Sequence, residues 1–219
     1  MDTRSGFHQS LELLQTELLA MGNSVENLIH QAVDSLTRLD EKLAHDIIES
    51  DDHIDDYLTT IDELCLRLIA LQQPMASDLR IIGTAIKIAT DLERIADHAV
   101  DIARITLRFS GEELVKPLET IPQMAEIAKE MLRESLISYT ERNVHRAATL
   151  AEKDDLVDKL YSNVMQELIS MMGVDYNRNR QLTHLILVAH YLERVADHVT
   201  NIGEGVIYMV AGKRKDLNI

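Results

Sequence analysis

Carboxylates at helical spacing are the chemistry this sequence offers. Glu93, Asp97 and Asp101 recur every four residues, and Glu193, Asp197 and Asn201 recur in the same way one hundred residues later. On an α-helix that spacing stacks the three side chains on one face. Two further pairs, Asp51 with Asp55 and Asp154 with Asp158, are also four apart. Like charges at that spacing destabilise an isolated helix by about 0.2–0.5 kcal/mol per pair. A surface helix more often alternates the signs, so a repulsive set held twice points to a cation that neutralises it. An oxygen-rich donor set with few soft ligands suits Mg, Ca, Mn or iron better than a structural zinc site. The competing reading is a solvated acidic face softened by Arg94 and Arg194.

The segments that carry these residues repeat. Asp91 to Ile102 aligns with Tyr191 to Ile202 with seven of twelve positions identical at an offset of 100. Upstream, Asp51-Asp52-His53-Ile54-Asp55 aligns with Asp154-Asp155-Leu156-Val157-Asp158 at an offset of 103. A repeat of this length reads as one structural unit used twice.

Apolar residues recur at a spacing near 3.6 almost throughout, which predicts an all-α chain. Leu11, Leu14, Leu18, Met21, Val25, Leu28, Ala32, Leu36 and Leu39 form one stripe, for a first helix over about 8–39. Leu43, Ile47, Ile54, Leu58, Ile61, Leu64, Leu68 and Leu71 mark a second over about 41–72. The stretch from Gln73 to Asp78 breaks it, because Pro74 lacks a donor and Ser77 or Asp78 can cap a third helix over about 79–109. Gly111, Pro117 and Pro122 mark a linker over 110–122. Three more helices are expected at about 122–140, 144–172 and 178–211, interrupted between Gly173 and Asn177. The architecture is two tandem antiparallel three-helix bundles, 1–115 and 116–219.

Reflection through the short turns sets the heights. With the second and third helices antiparallel about residue 75 or 76, position 54 faces 97 and position 50 faces 101. In the second half, position 153 faces 197 and position 157 faces 193. All four groups of acids then meet within about one 5.4 Å turn of their partners.

Composition narrows the function. The chain of 219 residues has 22 Lys plus Arg against 37 Asp plus Glu, a formal net charge of −15, which removes the basic footprint a nucleic-acid binder needs. With no Trp and two Phe, the core must be aliphatic. The single Cys65 excludes an internal disulfide and suits a reducing compartment; lying between Leu64 and Leu66, it reads as buried and inert. Asp2, Glu12 and Glu17 stand where a signal peptide would be apolar, and no run of 18 apolar residues occurs, so a cytoplasmic protein without membrane insertion is expected. His98 and His198 point about 100° away from the neighbouring aspartates and read as ordinary hydrogen-bonded histidines. Met165, Met171 and Met172 read as core packing. His45-Asp46 matches a phosphohydrolase dipeptide without that motif's other ligands, and no glycine-rich phosphate loop appears.

With these motifs in place, the chain resembles the PhoU family of phosphate-signalling regulators along essentially its whole length. The resemblance is carried by Glu-Arg-Ile-Ala-Asp at 93–97, Glu-Arg-Val-Ala-Asp at 193–197 and Pro-Met-Ala-Ser-Asp-Leu-Arg at 74–80. It implies two sites for multinuclear iron or another transition metal: Asp51, Asp55, Glu93, Asp97 and Asp101 in one, and Asp154, Asp158, Glu193, Asp197 and Asn201 in the other. Asn201 departs from the family's aspartate, and Glu204, one turn on, can compensate. The resemblance also implies a non-enzymatic repressor of phosphate uptake and of the phosphate-starvation response. Its implied partners are the ATPase of a phosphate ABC transporter and a sensor histidine kinase, with a homodimer by analogy. The alternative is a carboxylate-bridged metalloenzyme, a di-iron oxidase or metal phosphohydrolase. Ferritin-like oxidases, however, pair Glu-x-x-His motifs, and no Glu here is followed by His at that spacing.

Overall fold

A computed structural model describes residues 3–72, 74–213 and 216–217; Gln73, the first residue of the expected break, lies outside them. Among the described residues the chain is all-α, in eight helical segments: α1 (Thr3–Arg38), α2 (Glu41–Glu49), α3 (Asp51–Gln72), α4 (Ala76–Arg108), α5 (Thr120–Glu141), α6 (Val144–Ala148), α7 (Leu150–Ser170) and α8 (Tyr176–Ala211). The second and fifth expected helices are thus each divided in two. At both divisions a hydroxyl side chain turns back on the preceding helix. Ser50 Oγ donates to the Ile47 carbonyl at 2.7 Å and Thr149 Oγ1 to that of Arg146 at 2.8 Å. Such bonds compete with the helical ladder and bend it.

The internal repeat extends to the turns. Leu39 and Arg142 both take a left-handed conformation, at φ 54° and 53°. Each is followed by a helix cap: Asp40 accepts from the Leu43 N–H at 3.0 Å and Asn143 from that of Arg146 at 3.0 Å. The Asp40 and Asn143 amides return to Ser35 and Ser138, both at 2.8 Å. Leu39 therefore ends the first helix instead of extending its stripe.

At the start of α4 the cap is Met75, earlier than the expected Ser77 or Asp78, and the Asp78 carboxylate accepts the Met75 N–H at 3.3 Å. Ser77 lies inside the first turn and caps nothing.

Packing follows the two halves. α1, α2–α3 and α4 form one three-helix bundle, and α5, α6–α7 and α8 form the other. α4 lies along α8 and α1 along α5. The α4–α8 seam is antiparallel: Arg80 meets Met209, Thr84 meets Gly205, Asp91 meets His198 and His98 meets Tyr191. One aliphatic core runs through both bundles, with Leu14, Leu18, Ile54, Ile61, Leu92, Ile95, Leu132, Val157, Leu192 and Val195 buried. Cys65 is buried as expected, its thiol pushed up to about 12 by burial. Two expectations fail at helix ends. Met172 is exposed because α7 stops at Ser170, and Leu71 is 71% exposed at the end of α3. Met171 is partly buried against the core, as expected.

Candidate metal centre

The acids of each half come from the two helices that flank a turn. α3 opens with Asp51 and Asp52, whose charge complements the positive N-terminal end of a helix. It lies beside α4, which supplies Glu93 and Asp97. In the second bundle α7 supplies Asp154 and Asp158, and α8 supplies Glu193 and Asp197.

The electrostatics show which side chains face one another. The Asp51 carboxyl is pushed above its usual range by burial, then by the charges of Asp97 and Asp55, with Arg104 opposing. Glu93 is raised by burial and by Asp97, with Asp55 and Asp51 adding to it against Arg94. In the second half Asp154 is pushed up to about 7, first by burial and then by Asp158, Asp197, Asp155 and Glu193. Asp158 is raised by burial, Asp197 and Asp155; Glu193 by burial and Asp197. Four expected acids therefore gather in each half, at the heights reflection gave.

The two remaining positions differ. Asp101 pairs with Arg104 at 2.8 Å and is not among the charges that raise Asp51 or Glu93. Asn201 is half-buried and brings no charge. Glu204, its expected substitute, accepts the Leu217 N–H at 2.9 Å from the C-terminal segment.

Both clusters carry an arginine lid. Arg94 holds Glu93 at 3.3 Å and Asp97 at 2.9 Å, and Arg194 holds Asp197 at 3.0 Å. In this arrangement no three His, Cys, Asp or Glu side chains among the described residues converge closely enough to hold one ion. Yet Asp154 Oδ1 and Glu193 Oε2 are buried without a hydrogen-bond partner, although His190 Nδ1 lies 3.3 Å from the latter. Buried carboxylate oxygens are costly to leave unanswered. The donor set is of the oxygen type that a hard cation takes, but the side chains as they stand would have to draw together to hold one.

Some residues of the site were not singled out by the sequence. Asp155 adds charge to the second cluster, and His190 sits three residues before Glu193, a spacing that could have been read as an ion pair. Asp91 is buried and accepts or shares a proton with His198 Nδ1 at 3.1 Å. In the repeat it corresponds to Tyr191, so no pattern marked it. His198 is the hydrogen-bonded histidine expected. His98 instead stacks on Tyr191 with ring centroids 5.5 Å apart, and its buried Nδ1 has no partner. Burial and the neighbouring His198 push it down to about 4.

Comparison with known proteins shows the family of the chain. The model of the PhoU domain matches the chain twice, over residues 18–106 and 121–206. A phosphate-specific transport system accessory protein PhoU homolog of Clostridium acetobutylicum is 44% identical over 217 residues, covering 99% of each chain. The crystal structure of PhoU from Pseudomonas aeruginosa superposes with a TM-score of 0.89 at 35% identity, covering 94% of this chain and 100% of that one. The structure of the phosphate transport system regulatory protein PhoU from Streptococcus pneumoniae gives 0.88 at 30% identity, covering 96% and 99%.

Proposed function

Because the chain belongs to the PhoU family, we propose that it is a cytoplasmic, non-enzymatic regulator of phosphate uptake that represses the phosphate-starvation response when phosphate is plentiful. It acts by contact, with the ATPase of a phosphate ABC transporter and a sensor histidine kinase as partners, and as a homodimer. The family's recurrence along the whole chain supports the role. Among the described residues no helix is long and apolar enough to cross a membrane, so partners in a membrane would be met at its surface.

The carboxylate clusters are proposed to bind metal, iron first and Mn, Zn, Mg or Ca as alternatives, in a multinuclear arrangement. Asp51, Asp55, Glu93 and Asp97 would hold it in the first repeat, with Asp101 at the edge; Asp154, Asp158, Glu193 and Asp197 would do so in the second, with Asn201 contributing only a neutral oxygen. The buried, unanswered oxygens of Asp154 and Glu193 are the observation that supports this most directly. A bound cation supplies the positive charge that these acids lack among themselves. The chain's own residues do the rest. Arg94 and Arg194 pair with these acids, and a cation held by Asp97 would compete with Arg94 for the same carboxylate. Arg94 and Arg194 would then be free at the surface, a change that a partner protein could read.

A cell that lacks its own copy of such a regulator tests the role. Supplying this chain should switch off phosphate-starvation reporters in phosphate-rich medium. A variant with Glu93, Asp97, Glu193 and Asp197 changed to Ala should fail to do so while remaining folded. Reporters that stay on with the unaltered chain would refute the regulatory role; full repression by the variant would refute only the metal's part in it.

A further inference from the structure

At the end of the α4–α8 seam remote from the turn into α8 lies a groove of about 570 Å³, lined among others by Arg80, Thr84, Lys87, Glu204, Tyr208 and Asp216. Its meaning comes from comparing the two ends of the seam. At the other end Arg180, the counterpart of Arg80, donates to the Arg108 carbonyl at 3.3 Å and closes an ion pair with Glu112. The Gln181 amide also donates to Glu112, at 3.2 Å. Glu112 follows Gly111, the first glycine past α4. Arg80 makes the matching backbone contact, its Nε donating to the Met209 carbonyl at 3.3 Å. Past α8, however, the glycine is Gly212 and the residue after it is Lys213. At the offset of 100 that pairs Arg80 with Arg180, Glu112 corresponds to Gly212, so the internal carboxylate that satisfies the guanidinium at one end has no counterpart at the other.

Lys87 joins Arg80 in this groove. Its counterpart in the repeat is Leu187, and it forms no ion pair or hydrogen bond with a described residue. In a chain of net charge −15, two cations without a carboxylate partner among the described residues share the same cavity. The opposite wall carries Glu204, engaged by the Leu217 N–H, and Asp216. One wall thus offers an arginine fork and a lysine, suited to a phosphoryl group. The other offers acceptors for hydroxyl donors, and the volume is that of a small-molecule pocket.

We propose that this groove binds a small hydroxyl-bearing phosphate ester, a sugar phosphate or a nucleotide, with its phosphoryl group on Arg80 and Lys87 and its hydroxyls toward Glu204 and Asp216. The site is separate from the carboxylate clusters and does not depend on metal there.

Isothermal titration calorimetry on the full chain, kept metal-free with chelator, tests it with ribose 5-phosphate, adenosine monophosphate and inorganic phosphate as probes. At least one ester should bind more tightly than inorganic phosphate, and which one binds separates the sugar-phosphate source from the nucleotide. Arg80→Ala and Lys87→Ala should each weaken that binding about tenfold or more, the cost of losing a charge-assisted contact. Lys87→Ala removes no bond within the protein, so it keeps the test sound if Arg80→Ala is unstable. Lys213→Glu, which adds a carboxylate next to the position that matches Glu112, should weaken ester binding. Esters that bind no more tightly than inorganic phosphate, or binding unchanged in both alanine variants, would overturn the proposal.

Discussion

Asp154 is the acid of the two clusters whose charge the fold opposes most strongly. Its carboxyl, ordinarily near 3.8, is pushed up to about 7 by burial and by four neighbouring acids. The folded state therefore holds a proton that the unfolded chain releases, and stability contributed by this group is lost as pH rises from about 4 to about 7. Asp154→Asn should flatten that slope, making the chelated protein more stable near neutrality by about 1–3 kcal/mol. Urea unfolding of both proteins across this pH range measures it. An unchanged slope would mean that Asp154 does not face its neighbours in solution. His198 belongs to the same scale: His198→Ala strips the one partner of Asp91 Oδ1 in a buried seam and should cost about 1–3 kcal/mol. Asp91→Asn with His198→Ala should recover part of it in a double-mutant cycle.

At the scale of elements, the short α6 and the start of α7 close over α8 at Gly203. A Cβ there would lie 2.8 Å from Leu150 Cδ1 and 3.2 Å from the Ala147 carbonyl oxygen. The leucine can shift, but the backbone cannot, so Gly203→Val should destabilise by about 1–3 kcal/mol through overpacking. A thermal midpoint equal to that of the native chain would show that α6 is not held against α8. The sequence made the elements legible because apolar period and repeat agree on α1, α4, α5 and α8. It hid the breaks at Ser50 and Thr149, since a hydroxyl that bonds back to a carbonyl leaves the apolar stripe unbroken. The breaks at Leu39 and Arg142 fell where the expected helices end, but their left-handed conformation was not legible, since neither is a glycine or asparagine, the residues that ordinarily advertise it.

For the whole molecule, the repeat made the site legible. Four acids per half gather where reflection through the turns placed them, because long antiparallel helices with short turns leave little freedom in height. What the repeat could not convey is divergence between its copies. Asp101 is claimed by Arg104, Asn201 lacks charge, and the groove at Arg80 lacks the carboxylate that fills its twin. These differences depend on side chains from elsewhere in the chain, which no local spacing reveals. They also separate the two carboxylate clusters. The second cluster is the more buried, has Asp154 and Glu193 oxygens without partners, and should be the last to give up a cation. Glu193→Ala with Asp197→Ala should therefore remove the tighter fraction of any bound metal, and Glu93→Ala with Asp97→Ala the looser one, in a chelator competition followed by metal analysis.

The most direct measurement is the metal content of the purified chain by inductively coupled plasma mass spectrometry, beside the variant in which Glu93, Asp97, Glu193 and Asp197 are all alanine. Bound iron or another divalent metal in the native chain, absent from the folded variant, is the predicted result. A native chain that takes up no metal even after anaerobic loading would contradict it, and the two acidic clusters would then be surfaces neutralised by Arg94 and Arg194 alone.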